Sequence, residues 1–126
     1  MAKKVISTVQ APQAIGPYSQ AIRTGSLIFV SGQIPIDPAT GQFQGDINFQ
    51  THQSLENIKA ILTAAGAALS DVVKTTVHLN ILKDFNLMNS IYQSYFPDNA
   101  PARSTIEVSN IPRGALIEIE AIAVID

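Results

Sequence analysis

The final strand-like run of the chain, residues 116–125, restricts the possible folds more than any other segment. One side of this run is apolar throughout and carries Ile117, Ile119, Ala121, Ala123 and Ile125. The other side carries, in order, Glu118, Glu120, Ile122 and Val124. Successive side chains of a strand point to opposite faces of its sheet. The run therefore predicts a strand with one face in a core and a second face that becomes apolar halfway along.

Apolar residues elsewhere recur with the periods of two helices and one further long strand. Residues 48–65 have helical spacing at Leu55, Ile58, Ile61, Leu62 and Ala65, and Gly66 is placed to end the helix. Residues 84–96 predict a second helix that ends before Pro97, with one side formed by Phe85, Met88, Ile91, Tyr92 and Tyr95. Residues 72–79 alternate as a strand, with one face predicted to carry Val73, Thr75, Val77 and Leu79.

The whole chain then has the predicted order β-β-β-α-β-α-β-β, with strands over 4–8, 20–23, 27–30, 72–79, 104–108 and 116–125. Strands separated by single helices favour crossovers that place both helices on the same face of a mixed sheet. We predict one α+β domain over residues 1–126, with two helices on one face. The opposite face has no cover within the chain.

The amino-acid composition supports the prediction that another chain covers the bare face of the sheet. Hydrophobic residues make up 46% of the 126 residues and charged residues only 14%, which is more apolar than most soluble domains. An uncovered sheet face would expose a larger apolar patch than monomers tolerate. The simplest partner is another copy of the same chain.

Charge and cysteine content exclude several classes of function. The formal net charge is −2 and the sequence contains no basic run, so nucleic-acid binding is not expected. Cysteine is absent, which excludes thiol catalysis, disulfides and Cys-ligated metal. The start of the chain has no apolar core of a signal peptide, and no apolar run reaches the roughly 18 residues of a membrane span. We therefore expect a cytoplasmic protein that does not bind membranes.

Two charged positions have competing interpretations. Arg103 follows Pro101 at the entrance to a strand, where it either forms a surface salt bridge or binds a carboxylate or phosphate through its fixed fork of donors. Glu118 and Glu120 either lie where their strand meets water, or one of them lines a pocket as an acid or base.

Further polar candidates lie in loops, in one helix and on one strand. Tyr18 either packs in the core or offers its hydroxyl to a ligand, and Ser31 precedes Gly32, whose backbone can approach a ligand closely. His52 and His78 lack the spacing of metal ligands, so no metal site is expected.

Four segments together resemble the RidA/YjgF family of reactive intermediate deaminases. They are AIGPYS at residues 14–19, SGQIP at 31–35, PARS at 101–104 and IEIEAIA at 117–123. Each segment is weakly specific alone, but all four occur in the family's order and spacing across nearly the whole chain. The resemblance implies a chorismate-mutase-like fold, a homotrimer with clefts between subunits, and no cofactor.

The resemblance also implies an activity and its residues. The family hydrolyses 2-aminoacrylate and related enamines and imines to 2-keto acids and ammonia. The matching positions are Arg103 for the substrate carboxylate and Glu118 for the water. The other ligand contacts fall on Tyr18, Ser31, Gly32 and Asn89.

One residue departs from the family pattern, and two other functions are also compatible with the sequence. Many relatives carry cysteine two residues after the arginine, where this chain has Thr105, so a mechanism that needs a thiol would fail but one that uses the backbone there would survive. The alternatives are a regulatory module that binds 2-keto or amino acids without turnover, and a ribonuclease. The acidic balance and the absence of a basic stripe count against the ribonuclease.

Overall fold

A computed structural model describes residues 2–126 as a six-stranded sheet and two α-helices in the predicted order. The strands are β1 Lys4–Ile6, β2 Ala21–Thr24, β3 Leu27–Gln33, β4 Val72–Leu79, β5 Ala102–Glu107 and β6 Ile117–Val124. The helices are α1 Ile47–Ala64 and α2 Phe85–Tyr95. The predicted α+β class is confirmed.

The sheet has the spatial order β1-β2-β3-β6-β4-β5. All neighbouring strands are antiparallel except β4 and β5, which are parallel and joined through α2. The final strand β6 therefore lies between β3 and β4 in the middle of the sheet, while β5 forms one edge. This mixed topology agrees with the prediction.

Local signals in the sequence determine the ends of α1. The side chain of Asp46 caps the N-terminus by accepting a hydrogen bond from the Phe49 N–H at 3.0 Å. At the other end Gly66 has a φ of +82°. The Ala67 N–H donates to the Leu62 carbonyl at 2.8 Å, which closes a left-handed C-terminal turn. The predicted glycine terminator is confirmed.

The core lies between one face of the sheet and the two helices. The predicted apolar side of α1 is buried, and β4, β6 and α2 contribute the facing residues Val77, Leu79, Ile117, Ile119 and Met88. On the predicted apolar side of α2, Met88 and Tyr92 are buried, and the remaining residues of that side are partly buried. No helix within residues 2–126 is long and apolar enough to cross a membrane.

The face of the sheet opposite the helices, called the open face below, has no cover within the chain. Its apolar side chains include the register pairs Leu27–Val124 and Phe29–Ile122 of β3 and β6. Phe29 is 42% exposed. The predicted uncovered face is confirmed, and it is apolar along these two strands.

Two β-bulges on either side of β6 change the predicted strands. On β4, Val72 pairs with Ala123 and Lys74 pairs with Ile122, so Val73 is the extra residue. Val73 is 48% exposed while Val72 is buried. The prediction that Val73 shares one face of β4 with Thr75, Val77 and Leu79 was therefore wrong, because a regular alternation assumes an unbroken register.

The second bulge lies on β3 between Val30 and Gln33. It lets β3 continue through Gln33, three residues beyond the predicted end at Val30. The predicted loop beginning at Ser31 is therefore a bulged strand end. Similarly, β5 begins at Ala102, so Arg103 lies within the strand.

Candidate active site

Arg103 lies on the helix face of the sheet, at its β5 edge. Its register partner on β4 is Thr75, which is buried beneath α2. The guanidinium carbon is 4.8 Å from the ring centroid of Tyr92 and 5.5 Å from that of Phe85. Two aromatic rings of α2 thus hold the planar guanidinium through cation–π contacts.

The half-buried guanidinium of Arg103 has no carboxylate partner. Within residues 2–126, the one pairing of a basic and an acidic side chain within 4.0 Å is that of His78 with Glu118. The side chain of Arg103 donates a weak hydrogen bond from Nη1 to the Met88 sulfur at 4.0 Å. The surface salt bridge considered from the sequence is therefore not formed within this part of the chain, and the donor fork remains available.

Tyr92 gives the arginine a rigid support. Its hydroxyl hydrogen-bonds the hydroxyl of Thr75 at 2.6 Å inside the core. Burial raises the pKa of the Tyr92 phenol, although the Thr75 hydrogen bond and the nearby Arg103 charge both act to lower it. The sequence identified Tyr92 only as part of an apolar helix side, because the hydroxyl partner is distant in sequence.

Two side-chain oxygens near Arg103 are buried without a hydrogen-bond partner in the described chain. They are Oδ1 of Asn89 on α2 and Oγ1 of Thr105 on β5. Thr105 faces the helices, because its register partner is the buried Val77. Buried polar atoms are nearly always paired in native proteins. Each of these oxygens therefore calls for a partner, which a ligand bound beside Arg103 would supply.

An open cavity of about 510 Å³ lies against this cluster. Its lining includes Asn89, Tyr92, Gln93, Phe96, Pro101 and Arg103. We call Arg103, Asn89 and Thr105, with the Tyr92 support, the arginine half-site.

Glu118 lies on the open face of β6, because the flanking Ile117 and Ile119 are fully buried on the helix face. The bulge of β3 places Gly32 directly beside its carboxyl group. A Cβ atom at position 32 would lie 2.8 Å from Cδ and 3.1 Å from Oε1 of Glu118. Glycine is thus needed at position 32 to leave room for this carboxylate, a requirement that the sequence did not reveal.

Tyr18 and Ser31 lie on the same side of the molecule as Glu118. The Ser31 hydroxyl donates to the Ser19 carbonyl at 2.6 Å, which ties the loop before β2 to the end of β3. Tyr18 is half exposed, and its hydroxyl accepts a long hydrogen bond of 3.4 Å from the Ile15 N–H. A cavity of about 420 Å³ is lined by Tyr18, Ser19, Phe29, Ser31, Glu120 and Ile122.

Gln20 holds the loop that carries Tyr18. Its buried amide nitrogen donates to the carbonyls of Thr8 at 3.0 Å and Pro12 at 2.7 Å, and its oxygen accepts from the Thr8 N–H at 2.7 Å. Sequence reasoning missed this residue, since a single buried glutamine leaves no periodic signal. We call Tyr18, Ser31, Gly32 and Glu118 the glutamate half-site.

The two half-sites do not meet within one chain. Arg103 faces the helices from the edge strand β5, whereas Glu118 faces away from them on β6, with β4 between the two strands. All the predicted site residues therefore belong to one of two clusters on opposite faces of the sheet. A ligand that contacts both clusters needs parts of two chains.

The two histidines also lie in different parts of the structure. His52 lies exposed on α1, where its Nδ1 is 3.1 Å from the Tyr95 hydroxyl, while His78 lies on β4 on the open face. Within residues 2–126 no group of three acidic or histidine side chains is arranged to hold a metal ion.

A separate cavity of about 300 Å³ lies between the loop after β3 and α1. Two of its polar side chains are engaged in the local turn. Asp37 Oδ1 accepts from the Ala39 N–H, and Thr40 Oγ1 accepts from the Gln42 N–H. None of the predicted site residues lines it, so the half-sites are the better candidate.

Comparison with known proteins identifies the family to which the chain belongs. The sequence profile of the family described as Endoribonuclease L-PSP matches residues 8–125. A RutC family protein of Pyrococcus abyssi is 60% identical over 98% of both chains. The 2-iminobutanoate/2-iminopropanoate deaminase of Salmonella typhimurium is 52% identical over 96% of this chain and 97% of its own length.

The fold also matches solved structures along nearly its whole length. The crystal structure of E. coli TdcF with bound serine superposes with a TM-score of 0.95 at 44% identity, covering 98% of this chain and 99% of that one. Matches at this identity and coverage show common descent as well as a common fold. The chain belongs to the Endoribonuclease L-PSP family and, within it, to the RidA/YjgF group.

Proposed function

We propose that this protein hydrolyses short 2-imino acids, and the enamines that tautomerise to them, to 2-keto acids and ammonia. The observation that carries the proposal is the unpaired, half-buried guanidinium of Arg103 on its aromatic support. A planar fork held in this way can bind a substrate carboxylate through two parallel hydrogen bonds with little loss of rotamer freedom. Relatives about 50% identical carry the corresponding deaminase name.

The arginine half-site would also recognise the rest of a small substrate. Asn89 Oδ1 is a buried acceptor without a partner, so it can accept a hydrogen bond from the imine nitrogen. Thr105 provides a hydroxyl in the position where many relatives have cysteine, and a hydroxyl both donates and accepts. A thiol is not part of this scheme.

Glu118 would act on the water. The imine reacts in its protonated, iminium form. The Glu118 carboxylate takes a proton from the water as the water oxygen bonds to the iminium carbon, and the electron pair of the C=N double bond moves to the nitrogen, which becomes a neutral amine. Glu118 then returns the proton to that nitrogen. The C–N bond breaks as the hydroxyl of the intermediate passes its proton to Glu118 and becomes the carbonyl of the 2-keto acid, and ammonia leaves. Imines hydrolyse spontaneously, so positioning of the water and the carboxylate supplies most of the needed acceleration.

The reaction requires that chains assemble, because Arg103 and Glu118 lie on opposite faces of one sheet. The apolar open face supplies the driving force for assembly. A contact that joins two different patches of the same chain closes into a ring if its rotation permits. We propose a ring of three chains with a cleft at each interface, where the arginine half-site of one chain faces the glutamate half-site of the next.

A coupled assay tests this function. A pyridoxal-phosphate-dependent serine or threonine dehydratase generates the imine, and release of the 2-keto acid is followed with and without this protein. We expect faster release with the wild-type chain and no acceleration with Arg103→Ala. Equal rates with and without the wild-type protein would refute the proposal.

A regulatory binding module is the second candidate, since the same cleft could hold a 2-keto acid without turnover. Glu118→Gln separates the two functions because it keeps the shape of the site and removes the base. An enzyme loses turnover in this variant and retains 2-keto acid binding. A binding module shows the same affinity in both proteins and no turnover in either.

A further inference from the structure

His78 and Glu118 form a cross-strand pair on the open face. They are direct register partners on the antiparallel strands β4 and β6. His78 Nδ1 is 3.9 Å from Glu118 Oε1, and the two side chains are only 21% and 27% exposed. The pair therefore joins His78 to the glutamate half-site through Glu118, at a depth that water only partly reaches.

The Nδ1 atom of His78 is itself buried and has no hydrogen-bond partner within residues 2–126. Buried polar atoms in native proteins are nearly always paired, so this nitrogen calls for a partner. The side chains that share this face around His78 are Thr76 and Lys74 on β4, Glu118 and Glu120 on β6, and the apolar Ile106 on β5. Glu118 is the acidic group directly opposite the ring.

Glu118 is confined on its other side by Gly32. The bulge of β3 brings the Gly32 backbone so close that a Cβ atom would be 2.8 Å from Glu118 Cδ. The carboxylate thus lies between a backbone wall and an imidazole. A shift of about 1 Å brings Nδ1 and Oε1 within hydrogen-bond distance, and catalytic hydrogen bonds are commonly long before substrate binds.

We infer that His78 is a positioning residue for Glu118, an inference that rests on the proposed hydrolase function. In the assembled cleft the Nδ1–H of His78 donates to Glu118 Oε1 and fixes the plane of the carboxylate. Oε2 is then directed at the hydrolytic water. His78 transfers no proton to the substrate; the proton taken from water stays on Glu118 until it passes to the leaving nitrogen.

Three substitutions at His78 distinguish the effect of the N–H donor from the effect of the size of the ring. Asn places an amide N–H near the position of Nδ1, Gln places one near Nε2, and Phe keeps a ring without a donor. We expect His78→Phe and His78→Gln to lower kcat about tenfold, and His78→Asn to stay within about threefold of wild type. KM should change less than about twofold in all three, because Arg103 binds the carboxylate in the other half-site.

Steady-state kinetics in the coupled assay provides the first measurement, with His52→Gln as the control because His52 lies exposed on α1. Light scattering must give the same assembled mass for each variant. Equal losses of kcat in the Phe, Gln and Asn variants would show a space-filling role and overturn the inference. Wild-type kcat in His78→Phe would overturn it as well.

Nitrogen NMR of the imidazole rings provides a second readout that does not depend on turnover. The chain contains two histidines, so His52 serves as an internal reference in the same spectrum. We expect Glu118→Gln to shift the Nδ1 resonance of His78 and to leave His52 unchanged. An unchanged His78 resonance would show that the two groups do not interact.

The two proposals fail in distinguishable ways. If the wild-type protein does not accelerate imine hydrolysis, the proposed function is wrong and the role of His78 in positioning a catalytic Glu118 falls with it, whatever the spectrum shows. If the wild type is active while His78→Phe matches it, only the role of His78 is wrong.

Discussion

The carboxyl group of Glu118 lies against the backbone of Gly32, so closely that a Cβ atom at position 32 would be 2.8 Å from Glu118 Cδ. The contact exists because β3 has one extra residue between Val30 and Gln33. β-Bulges frequently lie next to active sites, where they redirect side chains. Here the bulge defines one wall of the space available to the proposed base.

Gly32→Ala should therefore impair activity more than stability. The Glu118 carboxylate is the end of a flexible side chain, so it can move away from the new methyl group at a cost of about 1 kcal/mol or less. We expect kcat to fall at least about tenfold, because the base is displaced from the water. Kinetics and urea unfolding measure the two effects. An unchanged kcat would contradict the placement of Glu118 at the reacting water.

Arg103→Ala should lower kcat/KM about tenfold to a thousandfold, because it removes a charge-assisted fork that binds the carboxylate. Arg103→Lys should restore little, since a point charge cannot make two parallel hydrogen bonds. Arg113→Ala is the matched control: Arg113 is exposed and donates to the Gly41 carbonyl far from both half-sites. Wild-type kcat/KM in Arg103→Lys would show that bidentate geometry is irrelevant.

Mixed assemblies test whether the half-sites come from different chains. Chains with Arg103→Ala and chains with Glu118→Ala are each expected to be inactive. Random mixing of equal amounts in a ring of three should restore about a quarter of the wild-type clefts. Activity after unfolding and refolding the mixture, with light scattering for the mass, provides the measurement.

The control for mixing uses two variants of the same half-site. Arg103→Ala mixed with Asn89→Ala cannot produce a complete arginine half-site, because every chain lacks one of its residues. This mixture should gain no activity beyond that of its components. Equal recovery in both mixtures, or a fully active monomer, would overturn the shared cleft.

Tyr95 should make the protein sensitive to alkaline pH. Burial raises the pKa of its phenol well above the usual range, and its 2.7 Å hydrogen bond to Glu56 and the charge of that carboxylate add to the effect. A phenol with a raised pKa in the folded state stabilises the fold below the unfolded value of about 10. That stabilisation is lost as the pH rises above 10, because only the unfolded chain then releases the proton readily.

Urea unfolding at pH 8 and pH 11 measures this effect. We expect the free energy of unfolding to fall between these values in the wild type and to fall less in Tyr95→Phe. Glu56→Gln should give part of the same change, because it removes the negative charge but not the burial. An identical pH dependence in Tyr95→Phe and wild type would refute the assignment.

Local and periodic features of this fold could be predicted from the sequence. The apolar spacing of α1, its end at Gly66 and the alternation of β6 each depend on neighbours within a few residues. These elements form as predicted, because the burial of one apolar face contributes most of their stability. The family resemblance adds the identities of Arg103 and Glu118, whose roles remain proposals.

The features that depend on contacts between distant segments required the structure. The bulges at Val73 and Gly32 arise where β3 and β4 pair with β6, and a regular pattern along one strand carries no sign of them. The sequence determined by itself which residues of α1 and β6 face the core. Only the packing of β3, β4 and β6 brought Gly32 and His78 to Glu118 and left Arg103 on the opposite side, because register between strands is set by long-range pairing rather than by local sequence.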